Sequence, residues 1–273
     1  MPPASVIAVT APASTPPARS ASAAYRQSLW LLTSRDLKVR YSTSFLGYLW
    51  SVLDPLVMAA IYWFVFTQIV ERSVGQSPYI VFLIAGLLPW MWFQGAVSDS
   101  TRAFIRDAKL VRSTRIPRSI WVNRIVLSKG IEFLASLPVL AAFAIAFGAE
   151  LTWGVLWFPV AVVLQAVLIA GLGLIIAPLV VFFRDLERAV KLILRFLFYA
   201  SPIIYSLDDL PGDLGLWAAF NPLAGIFSLY RAAFFPSEFD PWAVGIAAIM
   251  SLGFLGVGVL VFRRTVRAVL KEV

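Results

Sequence analysis

The sequence predicts an all-α integral membrane protein with six transmembrane helices, an N-terminal amphipathic interfacial helix and outer re-entrant helices. Composition is the first reason, because 60% of the 273 residues are apolar and only 14% are charged, against about 45–50% and about 25% in soluble domains. Six long apolar stretches are the second reason, and a one-sided distribution of Lys and Arg is the third. Too few polar side chains remain to cover a soluble globule of this length.

Missing residue types exclude several kinds of chemistry. The chain holds no histidine and no cysteine, which excludes disulfides, thiol nucleophiles, zinc-finger sites and histidine-based acid–base catalysis. The phosphate-binding pattern G-x-x-x-x-G-K-[ST] does not occur, so a nucleotide that drives this protein has to be bound by another chain. We therefore expect no catalytic residue, no metal site and no cofactor in this chain.

The N-terminal region divides into two parts. Residues 1–24 are rich in Ala, Ser and Pro and predict a disordered cytoplasmic tail. Residues 25–41 mix apolar and basic residues and predict an interfacial helix at the membrane surface. In that helix Trp30 would enter the interface and Arg35, Lys38 and Arg40 would face anionic lipid. A charged linker beside the membrane is the alternative interpretation.

The remaining domain, 42–273, holds the apolar stretches, and a span needs about 20 helical residues. The stretches cover approximately 45–70, 79–99, 120–147, 153–183, 189–205 and 242–262. The fifth is short and carries Lys191 and Arg195, whose side chains can reach the interface. A further stretch, about 208–235, is interrupted by Asn221, Pro222 and Arg231, which favours two short re-entrant helices over a full span.

Basic residues orient this arrangement. With six spans and both termini inside, all but Arg72 and Arg231 of the 23 Lys and Arg lie on the inner side, as expected of cytoplasmic loops. The formal charge of +8, which would suggest nucleic acid in a soluble protein, is thus explained by topology. We expect a membrane partner and no nucleic-acid partner.

Asp54 and Pro55 lie inside the first apolar stretch. An Asp within a membrane is by default a candidate functional residue. The alternative is that Asp54 caps a helix with Pro55 at its first position. This second interpretation predicts a fresh helix from Pro55 to Val70.

Aromatic residues accumulate along the first and fifth apolar stretches. They are interpreted either as packing and lipid-facing residues, or as a lining whose ring faces meet a sugar chain while Tyr and Trp hydrogen-bond its hydroxyls. The candidate path residues are Tyr48, Trp50, Tyr62, Trp63, Phe66, Phe196, Tyr199 and Tyr205.

The basic segment 106–118 lies on the predicted inner side. Ordinary topological charge explains part of its composition. A short helix that docks into a partner protein would also fit, with apolar and basic contacts together. Its candidate contact residues are Lys109, Leu110, Arg112, Arg115 and Ile116.

The stretch Leu29–Leu56, LWLLTSRDLKVRYSTSFLGYLWSVLDPL, resembles the N-terminal signature of the polysaccharide-exporting ABC-2 permeases, the membrane subunits of O-antigen, teichoic-acid and galactan exporters. Asp54 stands where Asn is often found in this family, and either residue can cap a helix. The resemblance extends from about Tyr25 to the C-terminus. Its further matching pieces, in order, are Ala108–Arg118, Phe182–Leu186, Ser201–Tyr205, Asn221–Ala224 and Tyr230–Arg231.

The resemblance implies the ABC-2, or type V exporter, fold and an assembly of two permease copies with two ATPase subunits, which bind the ATP and Mg²⁺. Segment 106–118 would be the coupling helix, and the first and fifth spans would line the route. The substrate would be a lipid-linked polysaccharide moved outward across the bacterial cytoplasmic membrane, with a polyprenyl-linked galactan of the actinobacterial kind as the nearest match.

Two alternatives stay open. The acidic cluster Asp208, Asp209 and Asp213 would fit an integral membrane glycosyltransferase that uses a polyprenyl-linked donor, although Pro211 and Gly212 also make it an ordinary turn. A small-molecule or drug exporter of the same ABC-2 fold is the second alternative.

Overall fold

A computed structural model describes residues 20–42, 49–65, 75–114 and 116–272. Within these ranges the chain is helical and holds no strand, which confirms the predicted all-helical class. The helices are α1 Ala21–Ser42, α2 Trp50–Phe64, α3 Tyr79–Ser100, α4 Ala108–Ser113, α5 Ile120–Ala146, α6 Phe158–Phe182, α7 Leu186–Ala200, α8 Leu214–Ala218, α9 Pro222–Arg231 and α10 Pro241–Glu272.

Four helical segments among the described residues are long and apolar enough to cross a membrane. They are α3, α5, α10 and the segment Trp153–Phe182, in which a 3₁₀ turn at Trp153–Trp157 leads into α6. The helices α2 and α7 have 15 residues each, a rise of about 22 Å against a hydrocarbon core of about 30 Å. The predicted first span, 45–70, extends beyond the described residues on both sides, so the count of six spans stays a prediction.

The fifth predicted span, 189–205, ends earlier than expected. The helix α7 stops at Ala200 because Ser201 is extended, with φ −99° and ψ 147°, as residues before a proline usually are. Residues Pro202–Tyr205 then form turns instead of a last helical turn. The Ser201-Pro202 pair was a visible stop signal in the sequence.

The predicted helix cap at Asp54 and Pro55 is wrong. The helix α2 begins at Trp50, and Leu49 before it already has helical angles, φ −64° and ψ −27°. A capping residue takes non-helical angles, whereas Asp54 lies inside the helix with an exposed side chain. Pro55 follows it within the helix and, because it lacks an N–H, donates no helical hydrogen bond.

Asn221 and Pro222 form the cap that Asp54 and Pro55 do not. Asn221 is extended, its Oδ1 accepts a hydrogen bond from the Leu223 N–H at 3.0 Å, and Pro222 is the first residue of α9. The helices α8 and α9 have 5 and 10 residues, so neither can span a membrane. The predicted pair of short helices is present, and its depth in the membrane stays a prediction.

The helix α3 is the centre of the fold. Every residue from Ile80 to Trp90 is buried, and α3 contacts α2, α5, α6, α7 and α9. A helix that is apolar on all sides belongs inside a bundle. The turn after α7 and the helix α9 are fastened to it by buried Arg231 of α9, whose guanidinium lies 3.5 Å from the centre of the Phe82 ring and donates to the Ile203 carbonyl oxygen at 2.6 Å.

The N-terminal helix begins earlier than predicted. It starts at Ala21, four residues before the expected start at Tyr25, because Ser20 Oγ accepts a hydrogen bond from the Ala23 N–H at 3.3 Å and so satisfies a free helix-end donor. Most of the predicted tail, residues 1–19, lies outside the described residues.

Candidate functional site

The helices α2, α3 and α7 enclose a cavity of about 500 Å³, called here the aromatic groove. Its two ends differ. Aromatic and apolar residues line one end, and polar or basic residues from the last turns of α3 and the first turns of α7 line the other. The lining residues are Met58, Tyr62, Leu87, Trp90, Met91, Gln94, Ser98, Lys191, Leu194, Arg195, Phe198 and Tyr199.

Ring contacts hold the aromatic end together. Phe198 of α7 lies at its centre, with ring centroids 5.7 Å from Tyr62 of α2, 5.5 Å from Trp90 of α3 and 5.1 Å from Tyr199. The Trp90 and Tyr199 contacts are edge-to-face, which is a favourable arrangement of aromatic rings. Three helices are therefore fixed to one another around a surface of ring faces and edges.

The candidate path residues do not all reach this groove. Tyr62 and Tyr199 line it, whereas Trp50, Trp63 and Phe196 are exposed on other faces of α2 and α7, Phe196 by 69%. Tyr205 lies beyond the end of α7, where its hydroxyl donates to the Tyr199 carbonyl oxygen at 3.2 Å. Tyr48 and Phe66 lie outside the described residues.

Phe198 and Trp90 line the groove although neither is among the candidate path residues. The signal for Phe198 was present, because Val190, Leu194 and Phe198 repeat at four-residue spacing and form the inward face of α7. Phe196 falls between these positions. Trp90 lies in the middle of α3 and is 3% exposed.

The predicted docking segment contains a helix that is shorter than expected. The helix α4 covers only Ala108–Ser113, and Thr114 ends it with extended angles while its hydroxyl donates to the Leu110 carbonyl oxygen at 2.8 Å. Lys109 and Arg112 are exposed, as a docking role requires. Arg115 lies outside the described residues.

The apolar part of that segment faces inward. Val111 is fully buried, and Leu110 and Ile116 pack against the hydrophobic core. The prediction that Leu110 and Ile116 supply contacts to a partner therefore needs correction, because the fold already uses these side chains. What α4 presents outward is its basic face.

Ion pairs connect the segment before α4 to the N-terminal helix. Arg124 of α5 is 2% exposed and pairs with both Asp107 and Asp36, and Arg35 of α1 pairs with Asp107 at 3.1 Å. Burial would raise the pKa of Asp107, but Arg124 and Arg35 outweigh it and lower that pKa. Removing one member of a buried ion pair leaves an uncompensated charge and costs about 3–5 kcal/mol.

The prediction for the basic residues of α1 is corrected in part. Arg35 and Arg40 were expected to face anionic lipid, but Arg35 pairs with Asp107, and Arg40 pairs with Asp99 at 2.9 Å and Glu132 at 3.1 Å. Carboxylates of the protein therefore take the role expected of lipid phosphates. Trp30, which is 58% exposed, and Lys38 remain on the outer face of α1, and their contact with lipid stays a prediction.

A second set of ion pairs joins the turn after α3 to α7. Glu187, in the first turn of α7, accepts hydrogen bonds from Arg102 at 2.6 Å and from Lys191 at 2.7 Å. The hydrogen bonds from Arg102 and Lys191 lower the pKa of Glu187 to about 2. The basic end of the aromatic groove is thus fastened to the chain segment that leads into α4.

The acidic cluster serves the local backbone. Asp209 Oδ2 accepts hydrogen bonds from the Ser206 N–H at 2.7 Å and from the Gly75 N–H at 2.9 Å. Gly212 has φ +57°, the left-handed conformation that glycine allows in turns. These contacts explain Asp209 as a capping residue and supply no catalytic pairing.

Known proteins are similar to this chain over most of its length. Residues 27–235 match the ABC-2 type transporter family. The chain is similar to the O-antigen export system permease protein RfbA of Klebsiella pneumoniae, with 35% identity over 86% of this chain and 91% of the relative. It is also similar to RfbA of Myxococcus xanthus, with 33% identity over 77% and 81%, and to the polysialic acid transport protein KpsM of Escherichia coli, with 25% identity over 93% and 99%.

Proposed function

Because the chain belongs to the ABC-2 type transporter family, we propose that it is the permease of an ABC exporter that moves a lipid-linked polysaccharide from the cytoplasm to the outer face of the membrane. Its relatives are transport permeases for O-antigen and polysialic acid, not enzymes. The observation that carries the proposal is the aromatic groove with its basic end. A glycosyltransferase has no comparable support, since Asp209 serves the backbone.

The groove offers the two kinds of contact that a lipid-linked glycan needs. Tyr62 and Tyr199 present rings against which the C–H faces of sugars can pack, and their hydroxyls can exchange hydrogen bonds with sugar hydroxyls. Lys191 and Arg195 supply positive charge at the other end, where a phosphate of the lipid linkage can form charge-assisted hydrogen bonds. The substrate would move along rings and would not be held at one deep site.

A second copy of the permease would complete the route. Apolar side chains on both sides of the groove are exposed, among them Val57 and Ile61 on α2 and Leu192, Ile193 and Phe196 on α7. Two copies that meet along these faces would bury them and enclose the groove between two subunits. The assembly would be two permeases with two ATPase subunits, which hold the ATP and Mg²⁺.

The ATPase would act on α4. Its exposed residues Lys109 and Arg112 supply charge complementarity to a partner. Movement of α4 would be passed through Asp107 to Arg124 and Arg35, and through the preceding turn to Arg102 and Glu187. The ion pairs would therefore transmit one movement to α1, α5 and α7.

Conditional depletion of this chain tests the proposal. Depletion is expected to trap a lipid-linked glycan on the cytoplasmic side. Both termini of the permease would lie on that side as well. Normal surface glycan in depleted cells would overturn the proposal. The composition of the trapped glycan tests the finer assignment, a polyprenyl-linked galactan, because any other sugar would exclude it.

A further inference from the structure

A second and larger groove lies between α5, α6 and α10 and is called here the aliphatic groove. Its volume is about 1100 Å³. Each helix contributes one stripe of mostly apolar residues at three- and four-residue spacing, for example Val126, Gly130 and Leu134 on α5 and Ala166 and Ala170 on α6. Such spacing places the side chains of each stripe on one face of its helix. The groove therefore follows the helix axes.

Glycine contacts and a hydrogen-bonded tryptophan fix the positions of the helices that line this groove. Gly171 of α6 and Gly258 of α10 bring those two helices together, because a Cβ atom on Gly171 would lie 2.5 Å from the Leu255 backbone nitrogen. Trp92 of α3 lines the groove beside Gly130, and its Nε1–H donates to the Val126 carbonyl oxygen at 3.2 Å. The groove is thus preformed, as small-molecule sites usually are.

One end of the aliphatic groove is strongly basic. Arg118 before α5 and Arg263 and Arg267 of α10 line it, and no acidic residue does. Among the described residues none of these three arginines forms an ion pair, and the buried Nη1 of Arg118 has no hydrogen-bond acceptor. A buried donor without an acceptor is destabilising, so an anion bound at this end would be stabilising.

The N-terminal helix closes the same end. Leu29 of α1 lines the groove, and the Asn123 side-chain amide donates to the Tyr25 hydroxyl at 2.8 Å. Ser119 also lies within 3.4 Å of that hydroxyl. The arginines therefore face a polar pocket beneath α1, and the aliphatic stripes lead away from it.

We propose that the aliphatic groove binds an anionic glycerophospholipid of the surrounding membrane. Its phosphate would meet Arg118, Arg263 and Arg267, and one acyl chain would lie along α5, α6 and α10. From Arg118 to Leu134 the groove rises about 24 Å along α5, which exceeds the roughly 15 Å from the interface to the bilayer midplane. Basic pockets between membrane helices are known to hold anionic lipid headgroups.

Charge and depth favour a phospholipid over a protein partner. A helix of a second copy would have to present carboxylates at the depth of the three arginines. Every anionic phospholipid carries its phosphate at that depth. The bound lipid would join α1, α5 and α10 and act as a structural component, whichever polysaccharide the transporter moves.

Lipid retention by the full-length chain, purified together with its ATPase subunit, tests the charge contacts. In mixed nanodiscs of phosphatidylglycerol and phosphatidylcholine, we expect Arg263→Gln with Arg267→Gln to lower bound phosphatidylglycerol about fivefold for each arginine removed. Arg264→Gln is the matched control, because Arg264 is exposed on the same turn and does not line the groove. Equal retention in the double variant and the wild type, or an equal loss in the control, would overturn the proposal.

A second variant tests the groove itself with the arginines intact. Ala166→Trp should fill the apolar part and reduce the retained phosphatidylglycerol several-fold, while gel filtration shows an unchanged assembly. Retention at the wild-type level would mean that lipid binds elsewhere, which contradicts the proposal. Recovery of a polyisoprenoid lipid in place of a glycerophospholipid would also contradict it.

Discussion

The middle and the C-terminal end of α3 are held in place by different forces. Around Trp90 the helix is fixed by a ring contact with Phe198 of α7, at a centroid distance of 5.5 Å. Around Asp99 and Arg102 it is fixed by ion pairs to α1 and α7. A substrate can slide over the faces of aromatic rings, whereas a movement of one charge in an ion pair displaces its partner. Under the proposed function, the aromatic part would meet the substrate and the ion-paired part would meet the motor.

Removing Arg124 should have the largest effect on the ion-paired end. Arg124→Ala leaves Asp107 and Asp36 without their buried partner and should destabilise the protein by about 3–5 kcal/mol. The measurement is the yield and the thermal unfolding of the purified complex. Arg112→Ala, at an exposed residue without a buried partner among the described residues, is the control. Similar losses of stability in both variants would show that the buried ion pairs do not stabilise this end of the fold.

Removing a ring should affect transport more than stability. Tyr199 is 61% exposed and lines the aromatic groove, so Tyr199→Ala should lower ATP-driven export up to about tenfold, the size of one lost ring contact. Expression and binding of the ATPase should be unchanged. Phe147→Ala removes an exposed ring that does not line the groove and should leave export intact. Equal export by the wild type, Tyr199→Ala and Phe147→Ala would exclude the aromatic groove as the route.

Reversing a charge on α4 should weaken binding of the ATPase subunit without changing the aromatic groove. Arg112→Glu should reduce affinity for the ATPase subunit about five- to tenfold, measured by titration in detergent. Arg26→Glu makes the same change at an exposed residue of α1 and should have no such effect. If both variants bind the ATPase as the wild type does, docking at α4 is excluded.

The smallest effect is expected at Glu187. Its pKa is lowered to about 2 from an ordinary 4.5, so its stabilising contribution is complete above about pH 4.5 and is lost as the pH falls toward 2. Glu187→Gln should therefore lower the unfolding temperature slightly, and by the same amount at pH 8 and pH 6. A difference between the wild type and the variant that changes from pH 8 to pH 6 would show that Glu187 titrates near neutrality and is not held by Arg102 and Lys191.

Much of the fold could be predicted because hydropathy acts over whole helices. The apolar stretches located α3, α5, α6 and α10, and Asn221-Pro222 marked the start of α9. The Asp54-Pro55 pair led to a wrong cap prediction because the residues before it are already helical, so α2 continues through the pair. A dipeptide indicates a cap only where the preceding backbone leaves the helical region.

Less of the candidate site could be predicted, because it depends on distant pairs. Tyr62 and Tyr199 were identified because aromatic residues accumulate along the first and fifth apolar stretches. Which rings of α7 face inward, however, depends on where α3 lies. Arg35, which pairs with Asp107 at 72 residues' separation, has the same sequence appearance as an arginine that faces lipid. The three arginines of the aliphatic groove, which form no ion pair with the described residues, were explained by topology alone until the fold brought them together.

Reconstituted transport tests the central claim most directly. Wild-type permease and its ATPase subunit in proteoliposomes should move a lipid-linked polysaccharide to the opposite leaflet in an ATP-dependent manner, as measured by lectin or enzyme access. The Tyr62→Ala and Tyr199→Ala double variant should hydrolyse ATP and move the polysaccharide at least about tenfold more slowly. Undiminished movement by the double variant, or movement without ATP, would contradict the account.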